Sequence, residues 1–234
     1  MKTDISDSKI EMGRRAAALA AEKICAAIAE RGEARVIFAS AASQFEFIEA
    51  LLAHTEIDGM PAFVKALAER GIAVSLGHQM AATPAEIEPC LAAGAKAFTH
   101  LGNGIPNMIP RHANIVMTAL AEDRASVMFI PDGHHLPDTM LKVYCRAVPT
   151  DRLIAVSDAQ YPAGLPPGAY DVIGVRARLE PDGLLWNPAR NCLVGATAPM
   201  ARMMRLLADR IGLTERELTA IGHDNPLRLI GEQT

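Results

Sequence analysis

Four short apolar runs in this chain each lead into a side chain that can bind a metal ion or move a proton. Residues 72–76 run into Gly77-His78, and residues 95–98 into Thr99-His100. Residues 126–130 lead to Asp132-Gly133-His134-His135, and residues 153–156 to Ser157-Asp158. Neutral imidazoles suit Zn²⁺, Fe²⁺ and similar ions, and water bound to such an ion loses much of its proton affinity. A carboxylate facing that water can take the proton and hand it on. One histidine after a strand means little. Three followed by an aspartate, all at the same relative place, describe a site.

Helix-compatible stretches separate these runs, so strand, ligand and helix repeat. That alternation predicts an α/β fold with a mostly parallel sheet, in which chemistry gathers where strands end and βα loops begin. The spacing predicts helices over 8–31, 45–52, 61–70, 84–92, 114–121 and 137–147. It predicts strands over 35–39, 72–76, 95–99, 126–130 and 153–156. In the first helix Met12, Ala16, Leu19, Ala20, Ile24 and Ile28 recur at helical spacing and form the expected buried stripe. From Tyr161 the signals change to turns: Pro166-Pro167-Gly168, Pro181-Asp182-Gly183 and Asn187-Pro188. Alternating segments at 170–179 and 183–186 make a small antiparallel β excursion near residues 165–196. Helices at 197–211 and 215–221 follow. Thr214 and Glu217 form a capping box for the last, and Asn225-Pro226 is expected to stop it. Met200, Met203, Met204 and Leu207 read as a packing stripe.

Composition narrows the partners. Half of the 234 residues are hydrophobic and the net charge is −4, which argues against a nucleic-acid binder or an anionic membrane surface. The chain has no run of 18 apolar residues, and its first fifteen are polar and charged, unlike a signal peptide. Cys25, Cys90, Cys145 and Cys192 are scattered with no CxxC, so a reducing cytoplasm is the expected compartment. His54, His112 and His223 receive no role, and His134 reads as a loop histidine.

The motifs, taken together, resemble a family. From residue 56 onward, "GIAVSLGH", "AFTHLGNGIPNMIPRH", "MFIPDGHHLP", "IAVSDAQYPAG" and "NPLRLIG" stand in the order seen in the N-acetylglucosamine-6-phosphate deacetylases of the amidohydrolase superfamily. The resemblance covers roughly 180 residues and implies a partial (β/α) barrel of the amidohydrolase type over 56–234. It implies a divalent metal, Zn or Fe, held by His78 and His100. Asp158 would be the general base and then the acid toward the leaving amine. His135 would contact the substrate and polarise its amide carbonyl, while Asn103, Gly104 and Arg111 would hold the sugar phosphate. An arginine suits that task because its planar fork matches a phosphate bidentately.

Residues 1–55 resemble the start of a different family, the glucosamine-6-phosphate deaminases. Their phosphate loop reads Ala39-Ser40-Ala41-Ala42-Ser43-Gln44 here, with Ala41 where that family carries glycine. The deacetylase resemblance also implies a glutamate metal ligand in a His-Leu-Glu-Gly-Pro context, and no such string exists in the chain. Glu46, Glu56, Asp58 or a second chain could substitute. Three functions therefore stand side by side: a metal-dependent amide hydrolase acting on an amino-sugar phosphate, an impaired remnant of one, and a deaminase-isomerase. A barrel of this length would expose apolar edges, so self-association into a homo-oligomer is expected.

Overall fold

The computed structural model describes residues 8–31, 60–78 and 84–232. The chain divides into two compact units, one of residues 1–99 and 104–125, the other of residues 100–103 and 126–234. The predicted strand at 35–39, the helix at 45–52, the loop at 39–44 and the substitute ligands Glu46, Glu56 and Asp58 lie outside the described residues.

In the first unit, helix α1 (Lys9–Arg31) starts where the Ser8 hydroxyl accepts the Glu11 amide at 3.1 Å, an N-cap bond. In its N-terminal half the predicted stripe is not the buried face, while the side chains of Ile24 and Ile28 lie outside those described. Met12 and Leu19 are 52% and 54% exposed, and Ala16 is exposed, whereas Gly13 and Ala17 are buried. Alanines surround this helix on every side, so a few larger residues give it little directional preference. Helix α2 (Met60–Glu69) buries Phe63, Val64 and Leu67 on one face. Strand β1 (Ser75–Leu76) pairs in parallel with β2 (Ala97–Phe98), Ser75 opposite Ala97 and Leu76 opposite Phe98. Both strands are shorter than the predicted runs. Single hydrogen bonds prolong the ladder, Lys96 N–H to the Val74 carbonyl and Thr99 N–H to that of Leu76. Helix α3 (Pro84–Ala92) has the predicted bounds and buries Ile87, Cys90 and Leu91. Helix α4 (Ile115–Ala121) is capped by Asn114, whose Oδ1 accepts the Met117 amide at 3.0 Å.

In the second unit, β3 (Ser126–Phe129) runs parallel to β4 (Leu153–Ala155), with α5 (Asp138–Ala147) in the connection. This is the predicted strand, helix, strand repeat. The rings of Phe129 and Tyr144 pack edge to face at 6.3 Å inside it. An antiparallel sheet follows: β5 (Gly168–Val172), β6 (Val175–Leu179), β7 (Leu185–Asn187) and β8 (Cys192–Leu193), in that order. Val172, Ala177, Leu179 and Leu185 form its buried face. The alternating segment at 170–179 is thus a hairpin, turned by Ile173 and Gly174 at φ 50° and 71°, the backbone a two-residue loop requires.

Helix α6 (Met200–Leu206) continues into a π turn at Leu207–Ile211, and Met203 and Leu207 are fully buried as their spacing predicts. Helix α7 (Glu215–Thr219) carries the predicted capping box, with Glu217 Oε2 accepting the Thr214 amide at 2.7 Å. Asn225-Pro226 does not stop the helical path. After a π turn at Ala220–Asp224 the chain forms α8 (Asn225–Leu229) with Pro226 in its first turn, where a missing N–H costs nothing. Asn225 is buried there, and its Nδ2 donates to the carbonyls of Thr150 and Leu153 at 2.7 Å each. Those bonds tie α8 to the start of β4. No helix of the described residues is long and apolar enough to cross a membrane.

Candidate functional site

In the first unit His78 stands two residues beyond β1, exposed, with its backbone at φ 50°. Gly104 lies against its ring. A Cβ on Gly104 would come within 2.5 Å of Nδ1 and 2.9 Å of Cγ, so only glycine fits beneath that imidazole, and its own φ of 65° favours glycine too. Arg111 is exposed. The loop that carries it is pinned to α4 by Asn114, whose Nδ2 donates to the Pro110 carbonyl at 3.0 Å.

In the second unit His100 is nearly buried, at 8% exposure, with φ 32°. Asn103 closes the turn behind it. Both its amide N–H and its Nδ2 donate to the His100 carbonyl, at 3.0 and 3.2 Å. The Asn103 side chain therefore braces the histidine's backbone. Asp158 lies three residues beyond β4, exposed, at φ 47°. Its carbonyl accepts the Ala196 amide at 2.9 Å, and the Ala196 carbonyl accepts the Gln160 amide at 2.9 Å. A Cβ on Gly195 would approach the Asp158 carbonyl to 2.8 Å. The segment from Leu193 to Ala196 thus supports Asp158 through its backbone, while the Ala196 methyl faces the core.

His135 is held by a residue that motif reading passed over. Asp132 Oδ2 meets its Nδ1 at 2.7 Å, and Oδ1 accepts the backbone amides of His134 and His135, both at 2.9 Å. Both side chains are almost wholly buried. Burial alone would raise the Asp132 carboxyl; the bonds from the His135 ring and amide and from the His134 amide outweigh it and hold the group below its ordinary value. A carboxylate at Nδ1 places a proton there, so the neutral ring offers an acceptor at Nε2 and the protonated ring a donor. The spacing of an aspartate three residues before a histidine, just after a strand, was the available signal. His134 is a loop histidine as expected, its Nε2 3.4 Å from the Asp182 carbonyl.

Five non-glycine residues among those described have positive φ: His78, His100, Asp158, Ile173 and Asn191. Three of the five are the strand-end residues singled out by chemistry. For a metal, the donor chemistry fits in part. His78 and His100 are imidazoles, and the bare Gly104 leaves the His78 ring its place. Among the described residues, however, no three His, Cys, Asp or Glu side chains form a group able to hold an ion.

No family model matches the chain. It is 27% identical over 176 residues to an N-acetylgalactosamine-6-phosphate deacetylase of Escherichia coli O157:H7, covering 75% of this chain and 46% of that protein. It is 28% identical over 174 residues to an N-acetylglucosamine-6-phosphate deacetylase of Lysinibacillus sphaericus, covering 74% and 44%. Over part of its length, the chain is homologous to these deacetylases. It spans under half the length of either relative. A mutant Mycobacterium smegmatis deacetylase, solved with N-acetyl-D-glucosamine-6-phosphate, matches with a TM-score of 0.74 and 22% identity over 97% of this chain and 66% of that one. The deacetylase of Thermotoga maritima gives a TM-score of 0.72 at 21% identity over 99% and 68%. At these identities the structures show a shared fold.

Proposed function

We propose that this protein is a metal-dependent amide hydrolase that removes acetyl from N-acetylglucosamine 6-phosphate, releasing acetate and glucosamine 6-phosphate. The observation that carries the proposal is that the homology to deacetylases coincides with three chemistry-bearing residues, His78, His100 and Asp158, each turned into left-handed backbone just after a strand. In this reading residues 56–234 are a partial barrel of the amidohydrolase type, and residues 1–55 a deaminase-like addition. The protein acts in the cytoplasm.

His78 and His100 would hold a divalent ion, Zn²⁺ or Fe²⁺. When bound, that ion supplies Lewis acidity toward the amide and a more acidic water. Asp158, exposed and acceptor-only when ionised, takes the proton from the attacking water and returns it to the leaving amine. His135, oriented by Asp132, presents Nε2 to the substrate. Gly104 offers its backbone, Asn103 its carboxamide and Arg111 its guanidinium to the phosphate.

Acetate release from N-acetylglucosamine 6-phosphate, with and without added Zn²⁺, tests this. Metal-stimulated release that falls at least 100-fold in His78→Ala and in Asp158→Asn supports it; activity that survives either change sinks the assigned roles. The galactosamine epimer belongs in the same assay, because relatives of both names match. A second reading is an impaired remnant. It is the answer if no metal binds and no acetate appears. Self-association is part of the proposal as well, and a monomer by light scattering would remove it.

A further inference from the structure

Tyr144 of α5 is the largest fully buried side chain of the described residues that carries a polar atom. Its ring is fixed against Phe129, and its hydroxyl donates to the Leu101 carbonyl, 3.3 Å away. Burial pushes the phenol's ionisation upward, so the hydroxyl stays a donor. Leu101 directly follows His100, and its own N–H donates to the Met128 carbonyl of β3 at 2.7 Å. Both polar groups of that residue are thereby held, one by a strand and one by the phenol. Gly102 comes next, at φ 88°, and a Cβ there would stand 2.9 Å from the Tyr144 oxygen. The turn is built to sit directly on the hydroxyl. A phenylalanine would fill the same space without burying an oxygen, which marks the hydroxyl as serving the backbone it touches.

We propose that Tyr144 is a positioning residue for His100: its hydroxyl, by holding the Leu101 carbonyl, fixes the left-handed turn that aims the imidazole. The inference rests on the ligand role proposed above for His100, and it concerns how that ligand is presented. Groups that orient a metal ligand from behind typically change affinity 10–100-fold when removed.

The test compares full-length wild type, Tyr144→Phe and Tyr170→Phe. The last removes another tyrosine-to-carbonyl bond, that of Tyr170 to Pro166, from the exposed hairpin sheet. Amide hydrogen exchange is read in metal-free protein, and Zn²⁺ affinity by competition with a chromophoric chelator. The expected result is exchange at Leu101 and Asn103 at least tenfold faster in Tyr144→Phe, with β4 amides unchanged, and Zn²⁺ bound at least tenfold more weakly. Tyr170→Phe should change neither. Unchanged exchange at Leu101, or equal acceleration in β4, overturns the proposal, as does wild-type Zn²⁺ affinity in a Tyr144→Phe protein whose turn has loosened. If wild type takes up no Zn²⁺, the hydrolase reading falls, and the exchange comparison alone decides whether Tyr144 fixes the turn.

Discussion

Replacing Asp132 by asparagine isolates one buried charge whose partners are all known. The wild-type carboxylate accepts three hydrogen bonds, one from the His135 ring and two from backbone amides. Asparagine keeps one oxygen for the amides, but its NH₂ would meet the Nδ1–H of His135, donor against donor. The ring must then move its proton to Nε2 or turn away. Bonds to a charged group contribute about 1.5–3 kcal/mol, so Asp132→Asn should lose about 2 kcal/mol at pH 7 in urea unfolding. The pH dependence sharpens the test. The folded carboxyl titrates below its ordinary value, so its stabilisation is fully present above the unfolded value, about 3.9, and is lost as pH falls through the folded one. The wild-type advantage should therefore shrink steadily below about pH 4. A gap that stays constant from pH 7 to pH 3, or widens in acid, would refute the assignment of Asp132 as a charged anchor.

Three further outcomes follow from single contacts. Gly104→Ala forces a Cβ to within 2.5 Å of the His78 ring at a φ of 65°, so it should displace the imidazole and weaken Zn²⁺ binding at least tenfold in a chelator competition. Ile173→Asn should raise thermal stability by about 1 kcal/mol, because a β-branched residue at φ 50° is strained, asparagine is not, and the isoleucine is 78% exposed; a lower melting temperature would contradict this. Among Cys90, Cys145 and Cys192, a thiol-disulfide reagent at pH 8 should label Cys192 first. It is exposed, whereas burial pushes up the other two, that of Cys145 to about 11 with the Glu217 charge adding to it; equal labelling of all three would be the contrary result.

The parallel repeat was legible because apolar runs and ligand residues alternate with helix-length segments. Helix α3 falls on its predicted bounds, and α4 and α5 differ only by their cap residues Asn114 and Pro137. What failed did so for local reasons. In the N-terminal half of α1, where Met12, Ala16 and Leu19 are exposed, residue type is a weak guide because alanine makes every face of the helix similar. The hairpin inside 170–179 is hidden in the sequence because Ile173 is a poor turn residue, so period-2 alternation masks the Gly174 signal. Asn225-Pro226 has the pattern of a stop, yet proline is at home in a first helical turn, and the two carbonyls that Asn225 caps lie about seventy residues earlier in the chain. Within the candidate site, residue type and position after a strand are what point to His78, His100, His135 and Asp158. Of those that hold them, Asp132 shows itself by its spacing from His135, whereas Gly195 and Tyr144 act through geometry that no short motif displays.

The five left-handed residues divide by cause. Ile173 and Asn191 sit in hairpin turns, where positive φ is what reverses the chain, and the sheet that forms around them compensates. No hairpin requires it at His78, His100 or Asp158. Histidine and aspartate tolerate this region better than most residues, so the cost at each is modest. The geometric effect is not. Along a strand, side chains alternate between faces, and a strand that simply continued would send the next residue to one face or the other. A single left-handed residue breaks that alternation and re-aims its side chain at the strand's end. The same device occurs three times, each time on a residue able to hold a metal or a proton, and the hydrolase proposed above gives each of the three a role.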